Sequence, residues 1–86
     1  MNPVIDPQGT KRWYKEGSIT ILHRLNGPAV VYANGNTSWY KDDLRHRLDG
    51  PALEWDNTKE WYVNGEHIKC SSQKEFEKLM KLKAFW

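Results

Sequence analysis

His23 and His46 are the side chains of this 86-residue chain best suited to chemistry near neutral pH. An imidazole can hold a metal, move a proton or accept a backbone hydrogen bond. Each opens the same phrase. His23-Arg24-Leu25-Asn26-Gly27-Pro28-Ala29 returns as His46-Arg47-Leu48-Asp49-Gly50-Pro51-Ala52. Arg24 and Arg47 add planar guanidinium forks that can grip a carboxylate or phosphate. Cys70 could act as a nucleophile if a base stood beside it. The pairs Trp13-Tyr14, Trp39-Tyr40 and Trp61-Tyr62 could stack nucleic-acid bases.

The repetition itself favours a structural role for most of these residues. A metal needs three or four converging ligands, whereas equivalent histidines of a repeat are displaced along the array. Each imidazole is therefore expected to brace the Leu-Asn/Asp-Gly-Pro turn that follows it. Arg47 with Asp49, and Arg24 with Asn26, are expected to pair locally. Gly27 and Gly50 should supply a positive φ or a close strand approach, and Pro28 and Pro51 should open strands. Cys70 lacks a paired base in the sequence. There is no glycine-rich phosphate loop, no Cys-x-x-Cys and no carboxylate pair in an evident cleft. No catalytic, cofactor or metal residue is assigned, and the expectation is a protein that is not an enzyme.

Neighbouring residues of a strand face opposite ways, so a Trp-Tyr pair cannot offer one continuous platform. Trp13, Trp39 and Trp61 are expected in the core. Tyr14, Tyr40 and Tyr62 are expected half exposed on the other face, as partner contacts, because Tyr suits protein interfaces.

The elements that must position these side chains read as β-hairpins. Residues 28–32 and 37–41 flank Asn34-Gly35, where a type I′ turn is expected. Residues 51–55 and 59–63 flank a turn near Asp56-Asn57. A partial first unit has strands at 3–6 and 11–15 around Gln8-Gly9. Second reversals follow each Trp-Tyr pair, at Glu16-Gly17, Asp42-Asp43 and Asn64-Gly65. Ser18–Leu22 lengthens one link only, which makes Ile19, Ile21 and Leu22 candidate partner contacts. In the third copy His67-Ile68-Lys69-Cys70 replaces the heptapeptide, and His67 is expected to be exposed. A helix then runs over 72–83, with Ser72 and Glu75 at capping-box spacing. Phe76, Leu79, Met80 and Lys83 share one face, while Lys74, Lys78 and Lys81 share another. The whole chain reads as a single domain, 1–86, with hairpins over 3–69 and a capping helix. Phe85 and Trp86 either tuck beneath the helix or contact a partner.

The charge distribution separates the body from this helix. The net charge is +2, and Lys69, Lys74, Lys78, Lys81 and Lys83 against Glu75 and Glu77 account for more than all of it. A near-neutral body makes nucleic acid a less expected partner. No apolar run reaches membrane-spanning length, Met1–Pro7 has no signal-peptide pattern, and one cysteine cannot form an internal disulfide. The default expectation is a cytoplasmic protein without membrane attachment. Exposed strand edges and the apolar end Leu82–Trp86 make a homodimer one expected outcome.

Strand, Asn-Gly or Asp-Gly turn, Trp-Tyr return strand and Asn-Gly reversal together resemble the MORN-like hairpin repeats. The His-Arg-Leu-Asp-Gly-Pro-Ala variant resembles repeats of small bacteriophage and large-virus proteins. The resemblance covers residues 3–69 and implies a mainly β fold: an antiparallel meander of about three MORN-like hairpins, closed here by a C-terminal helix. It implies a binding scaffold. The function expected from it is that of a small phage-encoded protein that inhibits or redirects a host protein, such as a defence factor, by steric occlusion. A nucleic-acid-binding accessory protein using the basic helix, and a membrane-associated scaffold, are the alternatives.

Overall fold

The chain forms a mainly β structure, an antiparallel meander with one C-terminal helix. The computed structural model describes residues 2–83. Its strands are β1 (Val4–Ile5), β2 (Lys11–Arg12), β3 (Val30–Val31), β4 (Thr37–Ser38), β5 (Tyr40–Lys41), β6 (Leu44–Arg45), β7 (Leu53–Trp55), β8 (Thr58–Val63) and β9 (Glu66–Ile68), followed by α1 (Gln73–Lys83). Seven strands pair in the order β1-β2-β3-β4-β7-β8-β9, and β5-β6 forms a separate two-stranded ladder. All pairings are antiparallel. The molecule measures 43 × 30 × 17 Å, so it is thin in one direction.

The strands are shorter than the sequence pattern predicts, and the tryptophans explain part of this. Trp39 lies between β4 and β5. Its N–H donates to the Ala52 carbonyl at 2.7 Å, while its own carbonyl accepts the His46 N–H at 3.1 Å. Trp13 does the same with Ala29 (2.8 Å) and His23 (3.0 Å). Each of these residues therefore hands the chain from one ladder to the next. In the third copy the same step is continuous, because β8 carries Trp61 opposite Ile68 of β9.

Turn chemistry differs from expectation at Asn34-Gly35. The Gly35 N–H donates to the Tyr32 carbonyl (2.9 Å) and the Tyr32 N–H to the Asn36 carbonyl (2.8 Å), and only Gly35 has positive φ. Ala33 and Asn34 thus occupy the centre of the turn, and Gly35 takes the left-handed position after it, as in a three-residue hairpin loop. Asp6 to Thr10 repeats this geometry with Gly9. The type I′ pattern occurs instead at two of the three second reversals, Glu16-Gly17 having positive φ only at the glycine. Asp42 and Asp43 both have positive φ, as do Asn64 and Gly65. Asp and Asn tolerate that region better than other residues with a β-carbon.

The core sits at the C-terminal end. Trp61, Ile68 and Phe76 are buried together, with Val63, Cys70, Leu79 and Met80 packed around them. Phe76 is 1% exposed. The Glu75 N–H donates to Ser72 Oγ at 3.1 Å, so Ser72 caps α1 as its spacing with Glu75 predicts. Elsewhere the fully buried side chains are small: Ala29, Ala52 and Ser38. Such a body can bury little apolar area. Backbone ladders and side-chain bridges between hairpins must supply the rest of its cohesion.

Candidate binding face

The heptapeptide loops create two concave surfaces, and a third concavity of about 530 Å³ lies on α1 beside Ser72, Lys74, Glu75, Glu77, Lys78 and Lys81. In each loop the arginine lies flat on the tryptophan of its own copy, Arg24 over Trp13 and Arg47 over Trp39, both at 3.9 Å from Cζ to the ring centre. The glycine three residues later allows this. A β-carbon on Gly27 would sit 2.8 Å from Arg24 Cζ, and one on Gly50 would sit 2.6 Å from Arg47 Cζ. Neither glycine has positive φ. The expected reasons, a positive φ or a close strand approach, do not account for these glycines; the group that needs the space is the guanidinium. The arginines also clamp the loop, donating to the carbonyls of Pro28 (3.2 Å) and Pro51 (3.1 Å). Pro28 and Pro51 precede β3 and β7 rather than opening them.

The histidines tie neighbouring hairpins together. His23 Nδ1 accepts the Asp42 N–H at 3.0 Å, and His46 Nδ1 accepts the Asn64 N–H at 3.0 Å. This corrects the expectation that each imidazole braces its own loop. Each reaches the left-handed turn of the next hairpin, about one repeat further along. Burial holds the His46 pKa below the ordinary value, and the nearby Lys41 charge lowers it further. The bond from Asn64 N–H also requires an unprotonated Nδ1.

The third copy is realigned by the structure. Ile68, not His67, occupies the place of His23 and His46, since Ile68 pairs with Trp61 as His46 pairs with Trp39. Among the described residues a helix rather than a further hairpin follows, and Ile68 turns into the core with Phe76 of α1. Among the described residues no arginine stacks on Trp61 as on Trp13 and Trp39. Its indole N–H donates to Gln73 Oε1 at 2.8 Å, and the Gln73 amide donates to the Leu48 carbonyl at 3.0 Å. The helix thus replaces the missing arginine and locks onto the preceding loop. His67 is exposed, as expected, beside the Tyr62 ring at 5.0 Å.

Two concavities result. One, of about 510 Å³, lies between the loops and is lined by Arg24, Asn26, Trp39, Lys41, His46 and Asp49 among others. A smaller one, of about 360 Å³, is lined by Trp13, His23, Arg24, Leu25 and Asn26. Leu25 and Leu48 stand at the loop tips, 70% and 56% exposed. Asp49 accepts from Arg47 Nε at 2.9 Å, and this bond holds its carboxyl below the usual carboxylate range.

The other sequence-predicted sites are distributed as follows. Only Trp61 of the tryptophan row is buried. Trp13 and Trp39 are half-buried because arginines, not core side chains, cover them. Tyr14, Tyr40 and Tyr62 are all half-buried. Arg45 lies over the Tyr40 and Tyr62 rings at 5.6 and 5.4 Å, so part of that row is engaged within the chain. Ile19 is 84% exposed, Ile21 is exposed and Leu22 is half-buried. Lys74, Lys78 and Lys81 are exposed on the helix. Phe85 and Trp86 lie outside the described residues. Cys70 is half-buried, and burial followed by the Glu75 charge raises its thiol pKa, the reverse of nucleophile activation. Among the described residues no group of three His, Cys, Asp or Glu side chains is placed to hold a metal. No described helix is long and apolar enough to cross a membrane.

Leu25, Leu48 and Gln73 were not singled out from sequence as functional. The heptapeptide offered a signal for the leucines. Repeated apolar residues between an arginine and a turn have no strand alternation to bury them. Comparison with protein families, characterised proteins and solved structures finds no match to this chain.

Proposed function

We propose that this chain is a non-enzymatic protein-binding module built of MORN-like hairpin repeats, and that the loop face is its docking surface. One observation carries the reading. Leu25 and Leu48 project at the tips of two loops whose flanks are Trp13, Trp39, Arg24 and Arg47, rimmed by Asn26, Lys41 and Asp49. Protein interfaces combine an apolar centre with a polar rim. Trp and Arg are the residues that most often dominate their energetics. The loops are also held rigidly by arginine clamps and histidine bridges, so little ordering cost falls on binding.

The resemblance to phage and large-virus repeats extends this proposal. The partner is then a host protein, met in the host cytoplasm and inhibited or redirected by steric occlusion. Ile19 and Ile21 in the elongated link, and the free edges of Tyr14, Tyr40 and Tyr62, add contact area outside the loop face.

The test is affinity capture from phage-infected cells at low and high salt, followed by mass spectrometry. The wild-type chain is compared with a Leu25→Asp, Leu48→Asp variant of unchanged circular dichroism. A partner held at high salt by the wild type and lost by the variant supports the reading. Phosphate-driven binding collapses as salt rises. Capture that disappears at high salt, survives the leucine changes and depends on Lys74, Lys78 and Lys81 would replace it with nucleic-acid binding.

A further inference from the structure

The two arginine stacks are built alike, but their surroundings differ in charge. Arg47 has two carboxylates beside it: Asp49, accepting from Nε at 2.9 Å, and Glu54, with an oxygen 3.7 Å from a terminal nitrogen. The equivalent positions around Arg24 are Asn26 and Val31. Both acidic partners are therefore replaced in the first copy. The ring, the glycine and the proline carbonyl that orient the guanidinium are kept. The Trp13 ring lies at 3.9 Å, Gly27 leaves room, and the Pro28 carbonyl takes one donor. Arg24 also lines both concavities of the loop face, whereas Arg47 lines one. The larger concavity gathers Arg24, Lys41 and Arg47 against the single carboxylate of Asp49.

From this difference we infer that Arg24 is the receptor for a carboxylate of the partner protein, an Asp or Glu side chain flanked by apolar residues. A guanidinium fixed in position offers parallel N–H donors that a planar carboxylate can accept in bidentate fashion. Asp49 shows what such an acceptor does in the second copy. In the first copy, the partner provides it. The apolar flanks of the acidic residue cover Leu25 on one side and Leu48 on the other, which removes water and strengthens the pair. This inference rests on the loop face being the docking surface, and it names the chemistry of what docks there.

The test uses three probes of fixed composition: the peptide acetyl-Leu-Glu-Leu-Glu-Leu-amide, its Gln counterpart, and inorganic phosphate. Each is titrated into the full chain, and nitrogen–proton spectra follow the Arg24 and Arg47 Nε–H signals and the Leu25 and Leu48 amides. The Glu peptide is expected to shift the Arg24 Nε–H saturably and leave the Arg47 Nε–H in place. Asn26→Asp installs the carboxylate that the second copy already tolerates. It should weaken the Glu peptide by about tenfold or more, as expected for loss of a charge-assisted hydrogen bond, and leave the Gln peptide unaffected. If both peptides move Leu25 and Leu48 equally and neither moves Arg24, the docking surface stands and the carboxylate receptor is refuted. If no peptide moves any of the four signals, both readings fall. Saturation by phosphate alone, or an Asn26→Asp chain that binds the Glu peptide as tightly as wild type, overturns the assignment.

Discussion

Gly50→Ala tests the arginine stack more directly than any change to the arginine itself. A β-carbon at this position would lie 2.6 Å from Arg47 Cζ and 2.9 Å from Nε. Ordinary contact between carbon atoms is about 3.5–4.0 Å, so the guanidinium must retreat by roughly 1 Å. The retreat breaks or stretches what holds it. The Trp39 stack at 3.9 Å is worth about 0.5–2 kcal/mol. The charged hydrogen bond to the Pro51 carbonyl, 3.1 Å long, is worth about 1.5–3 kcal/mol. The bond to exposed Asp49 adds little. Against these losses, alanine reduces the entropy of the unfolded chain and returns about 0.4–1 kcal/mol, since Gly50 does not need a positive φ. The net expectation is a loss of about 1–5 kcal/mol if both contacts are lost outright, and less if they only stretch. A central loss of about 2 kcal/mol would lower the melting temperature of so small a domain by roughly 8–16 °C.

Urea unfolding followed by tryptophan fluorescence measures this loss, and a double-mutant cycle assigns its cause. In an Arg47→Met background no guanidinium meets the new methyl. Gly50→Ala should then be neutral or slightly stabilising. An equal loss in both backgrounds would refute the stacking argument and place the strain in the backbone. Gly35→Ala is the contrasting control. Gly35 has φ 94° with nothing within 4 Å of a built β-carbon. Its replacement should be costly whether or not Arg47 is present.

Two further outcomes follow from the bridges between hairpins. The folded-state pKa of His46 is lowered, so the unfolded chain binds the proton more readily. Stability from this group is complete above its ordinary value of 6.5 and is lost as pH falls through the lower folded value. Urea midpoints should therefore decline as pH falls below 6.5 toward the lower folded value, and His46→Ala should cost about 1–2 kcal/mol at neutral pH while flattening the decline. An unchanged pH profile in that variant would exclude the bridge. Gln73→Ala strands the buried Trp61 N–H and unties α1 from Leu48. It should cost about 1–3 kcal/mol and speed amide exchange in the helix first, whereas uniform exchange across the chain would show that Gln73 does not anchor the cap.

Much of this architecture was legible in the sequence because it is local. Turn residues at regular intervals, β-rich runs between them and a Ser-x-x-Glu cap each act within a few residues. They yielded the meander and the helix. Side-chain targets were less legible. His23 and His46 recur at fixed spacing, but nothing local says that the acceptor nitrogen meets Asp42 or Asn64. Those donors become available only after the next hairpin folds back. Strand alternation puts one member of each Trp-Tyr pair inward, and the tryptophans are the members expected there. A sheet this thin leaves Trp13 and Trp39 outside the buried cluster, and the arginine guanidiniums cover them instead. Asn34-Gly35 misled for a similar reason. The dipeptide is compatible with a two-residue turn, yet Asn36 pairs back to Tyr32 and spreads the reversal over one more residue.

The departures between copies fall into two kinds. Ile68 replaces a histidine where a helix, rather than a hairpin turn, follows, and an imidazole there would have no turn N–H of the kind that Asp42 and Asn64 supply. Gln73 replaces an arginine stack where a helix, rather than a loop, covers the tryptophan. Both changes are what closing the array demands, and both lie next to α1. The exchange of Asp49 and Glu54 for Asn26 and Val31 is of the other kind. It lies inside the array, where Trp13, Arg24, Gly27 and Pro28 preserve the whole stack. Folding alone does not call for it, since the same loop folds with its carboxylates in place one repeat later. A position released from its structural partner, with its geometry kept, is the position at which a repeat protein can take a partner from outside.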